Sequence, residues 1–221
     1  MKNRFFPLKL TFLFFTIISA QMFGQQTEID INLQADYNNA VKLFNSKAYA
    51  AAQKSFIEVS ESATDRLRLK ADADYYDALC AIRLNQTDAD KKVLSFVENH
   101  PNSNKKDKAY FNVGNYYFAN KRAAYALKWY SKVNLDALSQ ANKKELNFKM
   151  GYAFLSTQNL DLAKNKFVTL INDPKYGNDS RYYFGYISYK QEDYEVAEKT
   201  LQEIADDQAY KNEVTYYLLD I

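Results

Sequence analysis

The stretch Gly114-Asn-Tyr-Tyr-Phe118, followed by Ala126-Leu-Lys-Trp-Tyr130, decides the fold of this 221-residue chain. Around the glycine, Tyr110, Val113 and Tyr117 place apolar side chains at i, i+3 and i+7, which is the spacing of one face of an α-helix. The second segment repeats this spacing, with small residues where the first has its glycine. The sequence here predicts two consecutive amphipathic helices that approach each other closely.

The same pattern recurs along the chain. An alanine followed four residues later by a large apolar residue occurs five times, as Ala52 with Phe56, Ala89 with Val93, Ala126 with Tyr130, Ala163 with Phe167 and Ala197 with Leu201. Twelve residues before each alanine stands a small residue, except that Asp77 takes this place in the second repeat. Glycine inside a helix costs about 1 kcal/mol relative to alanine, so its recurrence indicates a packing need. We predict that eight small residues let the paired helices nest: Ala40, Ala52, Gly114, Ala126, Gly151, Ala163, Gly185 and Ala197.

These residues resemble the tetratricopeptide repeat (TPR) family. The matching fragments are Ala40 to Tyr49 with Ala52 and Phe56; Gly114, Tyr117, Ala126 and Tyr130; Gly151, Phe154, Ala163 and Phe167; and Gly185, Tyr194, Ala197 and Leu201. The resemblance covers about residues 33–221 and implies an all-α, right-handed superhelical solenoid of antiparallel helix pairs, with about five repeats and the start of a sixth. In layout the chain is also similar to exported cell-envelope TPR proteins of the Bacteroidetes type.

The repeats define the expected domain organisation. A TPR-like domain is predicted for residues 25–221, with repeat units near 33–69, 70–106, 107–143, 144–177 and 178–211, and a partial unit at 212–221. The partial unit stops before its second helix, whereas a solenoid end normally carries a polar capping face. We therefore expect either that the chain continues past Ile221 or that another molecule covers this end, and self-association through it is one such arrangement.

The N-terminus predicts export. Residues 1–24 contain Lys2, Arg4 and Lys9 but no acid, and an uncharged apolar run extends from Leu10 to Ala20, the pattern of a secretory signal peptide. A run of this length is too short for a permanent membrane span. We expect the mature protein in the periplasm or associated with the outer membrane.

The first helices of the units predict a binding groove. A TPR solenoid has a concave face lined by these helices, and their outward stripe is rich in aromatic residues, which bury large areas at low entropy cost. The predicted peptide-binding groove comprises Tyr37, Phe44, Phe111, Asn115, Phe148, Tyr152, Tyr182, Tyr186 and Tyr189. Aromatic stripes at helical spacing also build cores, so each residue has this second interpretation. Phe111 and Phe148 stand where the family's carboxylate clamp needs polar groups, which argues against chaperone-tail binding.

Other site chemistries find little support in the sequence. The formal net charge is only +2, so no basic stripe predicts nucleic-acid binding. One cysteine (Cys80) and one histidine (His100) argue against a disulfide framework and a metal site, and the paired acids are typical of solvated turns. We expect Cys80 to be buried and His100 to interact with the end of its helix. No catalytic residue, metal site or cofactor is predicted.

Three functions remain open. The first is a non-enzymatic, exported scaffold that holds a protein segment in the aromatic groove, within a cell-envelope assembly. The second is carbohydrate binding at the outer membrane, because aromatic platforms stack on sugar rings. The third is a repeat region at the N-terminal end of a longer multidomain protein, whose activity would lie downstream.

Overall fold

The computed structural model describes residues 32–221, so the predicted signal peptide at residues 1–24 lies outside the described residues. The helices form two compact units, of which the first ends at His100 and the second runs from Pro101 to Ile221. From residue 32 onwards the chain forms helices, turns and loops, with no β-strand. No helix in this part is long and apolar enough to cross a membrane.

Unit 1 contains two antiparallel helix pairs. The first pair is α1, over residues 32–45, and α2, Tyr49–Ser62; the second is α3, Leu67–Arg83, and α4, Ala89–Asn99. Its core includes Ala40, Ala52 and Phe56, which are fully buried. Cys80 is buried in the same core, as expected, and burial raises the pKa of its thiol to about 12, with a smaller contribution from the Asp77 carboxylate.

Unit 2 contains three further pairs and one unpaired helix. The pairs are α5, Lys106–Ala119, with α6, Ala123–Tyr130; α7, Gln140–Ser156, with α8, Leu160–Phe167; and α9, Gly177–Lys190, with α10, Tyr194–Gln202. Short 3-10 helices at Leu135–Ala137 and Val168–Leu170 follow α6 and α8, and α11, Lys211–Asp220, is the final helix. Each second helix packs on its own first helix and on the first helix of the following pair, so a continuous core forms within the unit.

A left-handed residue ends the first helix of every pair. Lys47, Asn85, Lys121, Gln158 and Glu192 have φ values between 55° and 64°, and no other described non-glycine residue has a positive φ. The amide that follows each one donates to a carbonyl five residues back, as Arg122 N does to Tyr117 O at 2.9 Å. This bond satisfies a helix-terminal carbonyl and reverses the chain in a short turn. The same backbone device therefore makes all five helix hairpins.

The predicted small residues lie at the helix contacts. The five alanines of the set, Ala40, Ala52, Ala126, Ala163 and Ala197, have no exposed surface, and the three glycines are buried. A Cβ atom on Gly114 would lie 2.3 Å from the Tyr130 ring, one on Gly185 2.7 Å from Leu201, and one on Gly151 3.0 Å from Phe167. Each glycine thus admits the large residue four positions after the alanine of its own pair. Phe167 also stacks on Tyr183 of the next pair at 5.0 Å, so it fills space on both sides.

Polar side chains replace this nesting in the second helix pair of unit 1. Asp77, which stands at the glycine position, accepts from Gln53 Nε2 at 2.8 Å and pairs with Lys92 Nζ at 2.8 Å. Nearby, Asp74 accepts from the Ser60 hydroxyl and lies 2.6 Å from His100 Nε2. His100 therefore binds a carboxylate on α3, rather than using its ring at the end of its own helix as the sequence suggested.

Candidate functional site

A cleft between the first helices α7 and α9 is the candidate site in unit 2. It has a volume of about 630 Å³, within the range of ordinary ligand sites. Its walls are formed by eight residues, Tyr152, Leu155, Ser156, Gln158, Leu160, Tyr183, Tyr186 and Lys190. We call this surface the tyrosine cleft. Two of the nine predicted groove residues, Tyr152 and Tyr186, line it.

The helix pairing explains why these side chains converge. Gly151 and Gly185 occupy equivalent positions on α7 and α9, and each glycine turns one face of its helix onto its partner helix. The tyrosine that follows each glycine therefore lies on an adjacent, less buried face. Tyr152 is 41% exposed, and Tyr186 is half-buried. The left-handed turn at Gln158 brings Leu160, at the start of α8, to the end of the same cleft.

Aromatic contacts fix the tyrosines in place. The Tyr152 ring meets Phe118 edge-on at 5.7 Å and Tyr183 edge-on at 5.6 Å. Tyr183 itself stacks on the buried Phe167, and burial raises the pKa of its phenol, with a smaller contribution from Tyr152. Such edge-to-face and stacked pairs add to stability beyond the area they bury. The cleft wall is consequently formed by rings whose orientations are set before any ligand binds.

The aromatic surface extends beyond the cleft towards α11. Tyr186 lies 5.7 Å from the ring of Tyr217, and Tyr189 lies 4.9 Å from it. The Tyr189 hydroxyl donates to Asp220, and this hydrogen bond raises the pKa of Tyr189 to about 12. Burial raises the pKa of Tyr217 to about 12 as well. Both phenols are therefore neutral hydrogen-bonding groups at physiological pH.

The remaining predicted groove residues pack against neighbouring side chains. Phe111 is only 6% exposed and packs on Tyr130, so it offers no groove surface. Asn115 accepts from Tyr130 Oη at 2.8 Å and from Lys149 Nζ at 3.0 Å, and so joins α5, α6 and α7.

Aromatic stacking accounts for most of the others. Phe148 stacks on Tyr176 at 4.9 Å, and Tyr182 stacks on Tyr210 at 4.6 Å. In unit 1, Tyr37 and Phe44 contact Tyr76 at 6.2 and 5.1 Å. All four residues are half-buried, and the unit 1 contacts are edge-on. Tyr37 also lines a separate cleft of about 560 Å³ in unit 1.

Several cleft residues were not predicted. The six lining residues outside the predicted groove are Leu155, Ser156, Gln158, Leu160, Tyr183 and Lys190. Lys190 lies one helical turn after Tyr186, so the spacing i, i+4 from a groove residue was the signal that could have found it. Leu160 and Gln158 could not have been found this way, because their positions depend on the turn between two helices.

A polar cluster in unit 1 joins Ser60, Asp74 and His100. Ser60 donates its hydroxyl proton to Asp74 and accepts from Lys70 Nζ at 3.1 Å, so this hydroxyl is held between a carboxylate and an ammonium group. His100 contacts the other Asp74 oxygen. Within residues 32–221, no group of three or more His, Cys, Asp or Glu side chains is arranged to hold a metal ion.

Comparison with known proteins identifies the class of fold. No family model matches the sequence, and no curated protein matches it significantly. Solved structures do match. BtubC (BKLC) from P. vanneervenii is 13% identical with a TM-score of 0.59, over 88% of this chain and 86% of that one. A Podosopora anserina protein with nearly identical TPR-like repeats is 11% identical with a TM-score of 0.55, over 82% and 97%. PilF from Pseudomonas aeruginosa is 14% identical with a TM-score of 0.54, over 87% and 91%.

These likenesses confirm the predicted fold class. The chain has an all-α fold of TPR-like helix pairs, the helical-repeat solenoid class that the resemblance to TPR proteins implied. At 11–14% identity the likeness establishes the fold alone. The function of the tyrosine cleft has to be argued from its own geometry.

Proposed function

We propose that this protein is a non-enzymatic scaffold that holds a segment of a partner protein in the tyrosine cleft. The observation that carries the proposal is the convergence of Tyr152, Tyr183 and Tyr186 with two leucines around a preformed 630 Å³ cleft. Tyrosine is enriched at protein interfaces because a rigid ring buries a large area while its hydroxyl remains wet. The TPR-like fold supports the same class of function, since its paired helices present such surfaces repeatedly.

The lining provides both aliphatic and polar surface. Leu155 and Leu160 contribute aliphatic surface to the cleft, and Ser156 and Gln158 are uncharged polar residues beside them. An aliphatic or aromatic side chain of a peptide would bury against these leucines, while the polar groups pair with its backbone. Carbohydrate binding ranks second, supported by the 41% exposed ring of Tyr152 as a stacking platform.

The cellular setting of the proposal rests on the sequence. We propose that the protein acts outside the cytoplasm in a cell-envelope assembly of a Bacteroidetes-type bacterium. The support is the basic start and uncharged apolar run within residues 1–24, together with the layout and composition of the repeats. A reporter enzyme that is active only after export, fused behind residues 1–24, would test this setting independently of the cleft.

Site-specific photocrosslinking tests the proposed function. A photoreactive amino acid at Tyr152 should crosslink to a defined partner segment in cells, whereas the same group at Tyr125 should not. Tyr125 is a matched control because it is 46% exposed but lies on α6, outside the cleft. With the identified segment, the Tyr152→Ala/Tyr186→Ala double variant should bind at least tenfold more weakly, a hot-spot-sized loss, while Tyr125→Ala binds normally.

Two results would count against the proposal. Equal crosslinking from Tyr125 and Tyr152 would show that the cleft is not selective. Unchanged affinity of the double variant, with helical content preserved by circular dichroism, would show that its tyrosines are not the binding surface. Binding of neutral oligosaccharides that depends on Tyr152 would promote the carbohydrate alternative.

A further inference from the structure

Lys190 is the only charged side chain among the eight residues that line the tyrosine cleft. Its Nζ atom lies 5.8 Å from the ring centroid of Tyr186 and 5.7 Å from that of Tyr189. A cation over aromatic ring faces is attracted by their electron density, which holds a flexible lysine side chain near one position. The ammonium group is therefore held at the edge of the cleft before a ligand arrives.

Within residues 32–221 this ammonium group has no ion-pair partner. Two other lysines of unit 2 do have one: Lys149 lies 2.5 Å from Glu145, and Lys164 lies 3.3 Å from Asp193. Among the described residues, no carboxylate oxygen lies within 4.0 Å of Lys190 Nζ. The Asp220 carboxylate accepts a hydrogen bond from the Tyr189 hydroxyl and does not pair with Lys190. The cleft consequently combines aromatic, aliphatic and uncharged polar walls with one positive charge that has no ion-pair partner among residues 32–221.

We propose that the partner segment carries an aspartate or glutamate side chain that pairs with Lys190 while a neighbouring apolar side chain enters the cleft. This inference rests on the proposed function and specifies the chemistry of its partner. A single ammonium group complements a single carboxylate, whereas phosphate recognition typically uses arginine forks or several donors. Charge complementarity at the edge of an apolar site adds specificity as well as affinity.

The surface beyond Lys190 indicates a side-chain carboxylate and not the end of a chain. The rings of Tyr189 and Tyr217 continue the aromatic surface past the lysine, so a bound segment has contacts to make on both sides of it. A chain terminus at Lys190 would leave those rings uncovered. The Asp220 carboxylate beside Tyr189 repels a second acid there, so the acidic residue is expected at Lys190 and not farther along.

Selection from a peptide library tests this inference. A displayed library of random 12-residue peptides, whose C-termini are fused and therefore carry no free carboxylate, is selected on the purified protein. Peptides that require Tyr152 and Tyr186 should be enriched in Asp or Glu at a fixed spacing from an aromatic or aliphatic residue. Their affinity should fall about fivefold in Lys190→Gln and about tenfold in Lys190→Glu, in the range of a partly exposed ion pair.

A matched control and a salt series separate the charge effect from folding. Lys199→Gln, at an exposed position in the last turn of α10, should leave affinity unchanged. Added salt should weaken binding to the unaltered protein more than binding to Lys190→Gln, because the paired charges are screened. Selection on Lys190→Glu should enrich lysine or arginine at the same spacing.

The outcomes distinguish this inference from the proposed function. Peptides that need the tyrosines but show no acidic enrichment, with equal affinity for Lys190→Gln, would overturn the role of Lys190 and leave the scaffold function standing. A parallel library with free C-termini that alone yields peptides dependent on Tyr152 and Tyr186 would overturn the side-chain assignment. If no selected peptide depends on Tyr152 and Tyr186, or if acidic oligosaccharides bind there instead, both proposals fail.

Discussion

The second helix pair of unit 1 solves the same packing problem as unit 2 with different chemistry. In unit 2, Gly114, Gly151 and Gly185 admit a large apolar side chain from the second helix of each pair. In unit 1 the first pair keeps a small residue, the buried Ala40, whereas the second pair has Asp77, which joins Gln53 and Lys92 in a polar network. The difference shows that the repeat requires a complementary contact at this position, and that either apolar nesting or a satisfied ionic network can supply it.

The choice of contact has consequences for the surface. In unit 2 the apolar contacts bury the glycine-bearing face of each first helix. Aromatic side chains such as Tyr152 lie on the adjacent, more exposed face of the same helix. In unit 1 the corresponding first helix, α3, uses its polar residues Asp74 and Asp77 to bind neighbouring helices. The binding surface proposed above accordingly lies in unit 2, where Tyr152 is 41% exposed.

The largest stability effect is expected from removing Asp74, the carboxylate that binds Ser60 and His100 in unit 1. Asp74→Ala leaves Ser60 and His100 without their carboxylate partner, and unsatisfied, largely buried polar groups are costly. We expect the free energy of unfolding to fall by about 2–3 kcal/mol. Asp65→Ala, at an exposed turn position, is the control and should change it little. Urea denaturation measures the free energy of unfolding of both variants. Equal losses in Asp74→Ala and Asp65→Ala would mean that the contacts of Asp74 do not stabilise unit 1.

A smaller effect is expected from filling a glycine position of unit 2. In Gly114→Ala the new methyl group would meet the Tyr130 ring at 2.3 Å, and this ring is buried and tethered to Asn115 by its hydroxyl. Overpacking should outweigh the gain in helix propensity, for a net loss of about 1–2 kcal/mol. Gly151→Ala meets Phe167 only at 3.0 Å and is the matched control, expected near neutral. Thermal unfolding of the two variants compares them, and a Gly114→Ala variant as stable as Gly151→Ala would contradict the nesting argument.

The smallest effect concerns the turn that both units share. Lys121 in unit 2 and Lys47 in unit 1 have left-handed backbones, at φ 58° and 64°, which cost a side-chain-bearing residue about 1–2 kcal/mol. Replacement by glycine removes this strain but increases the entropy of the unfolded chain, so a net gain of about 0.5 kcal/mol is expected in each unit. Lys108→Gly, inside α5, should instead destabilise by about 1 kcal/mol. Loss of stability in Lys121→Gly or Lys47→Gly would show that their side chains make contacts that outweigh the strain.

The sequence predicted the repeat well because nesting leaves a local signature. The signature has three positions: a glycine or alanine, an alanine twelve residues later, and a large apolar residue four residues after that alanine. These three residues lie at the contact between the two helices of one pair. It also predicted two residues of the tyrosine cleft, Tyr152 and Tyr186. Their function stays a prediction, but their shared surface is a structural fact.

The rest of the predicted groove was harder to assign because both faces of the first helices are aromatic. Periodicity shows that Phe111 and Tyr152 lie on a helix stripe, but the burial of Phe111 depends on the position of the Tyr130 ring across the pair. Phe148 and Tyr182 are taken up by stacking on Tyr176 and Tyr210, which lie in or next to the connections between pairs. Such contacts join residues 28 positions apart, far beyond the reach of helical spacing.

The sequence by itself determined the helices, their pairing and the small residues at their contacts, because these depend on side-chain size at short, regular separations. The tertiary structure alone decided which aromatic residues remain accessible and that Lys190 has no carboxylate partner in the described part of the chain. Accessibility and ion pairing depend on side chains that meet from different helices, at distances set by the packing of whole pairs. The periodic pattern therefore specifies the scaffold, and the contacts between successive pairs specify the site.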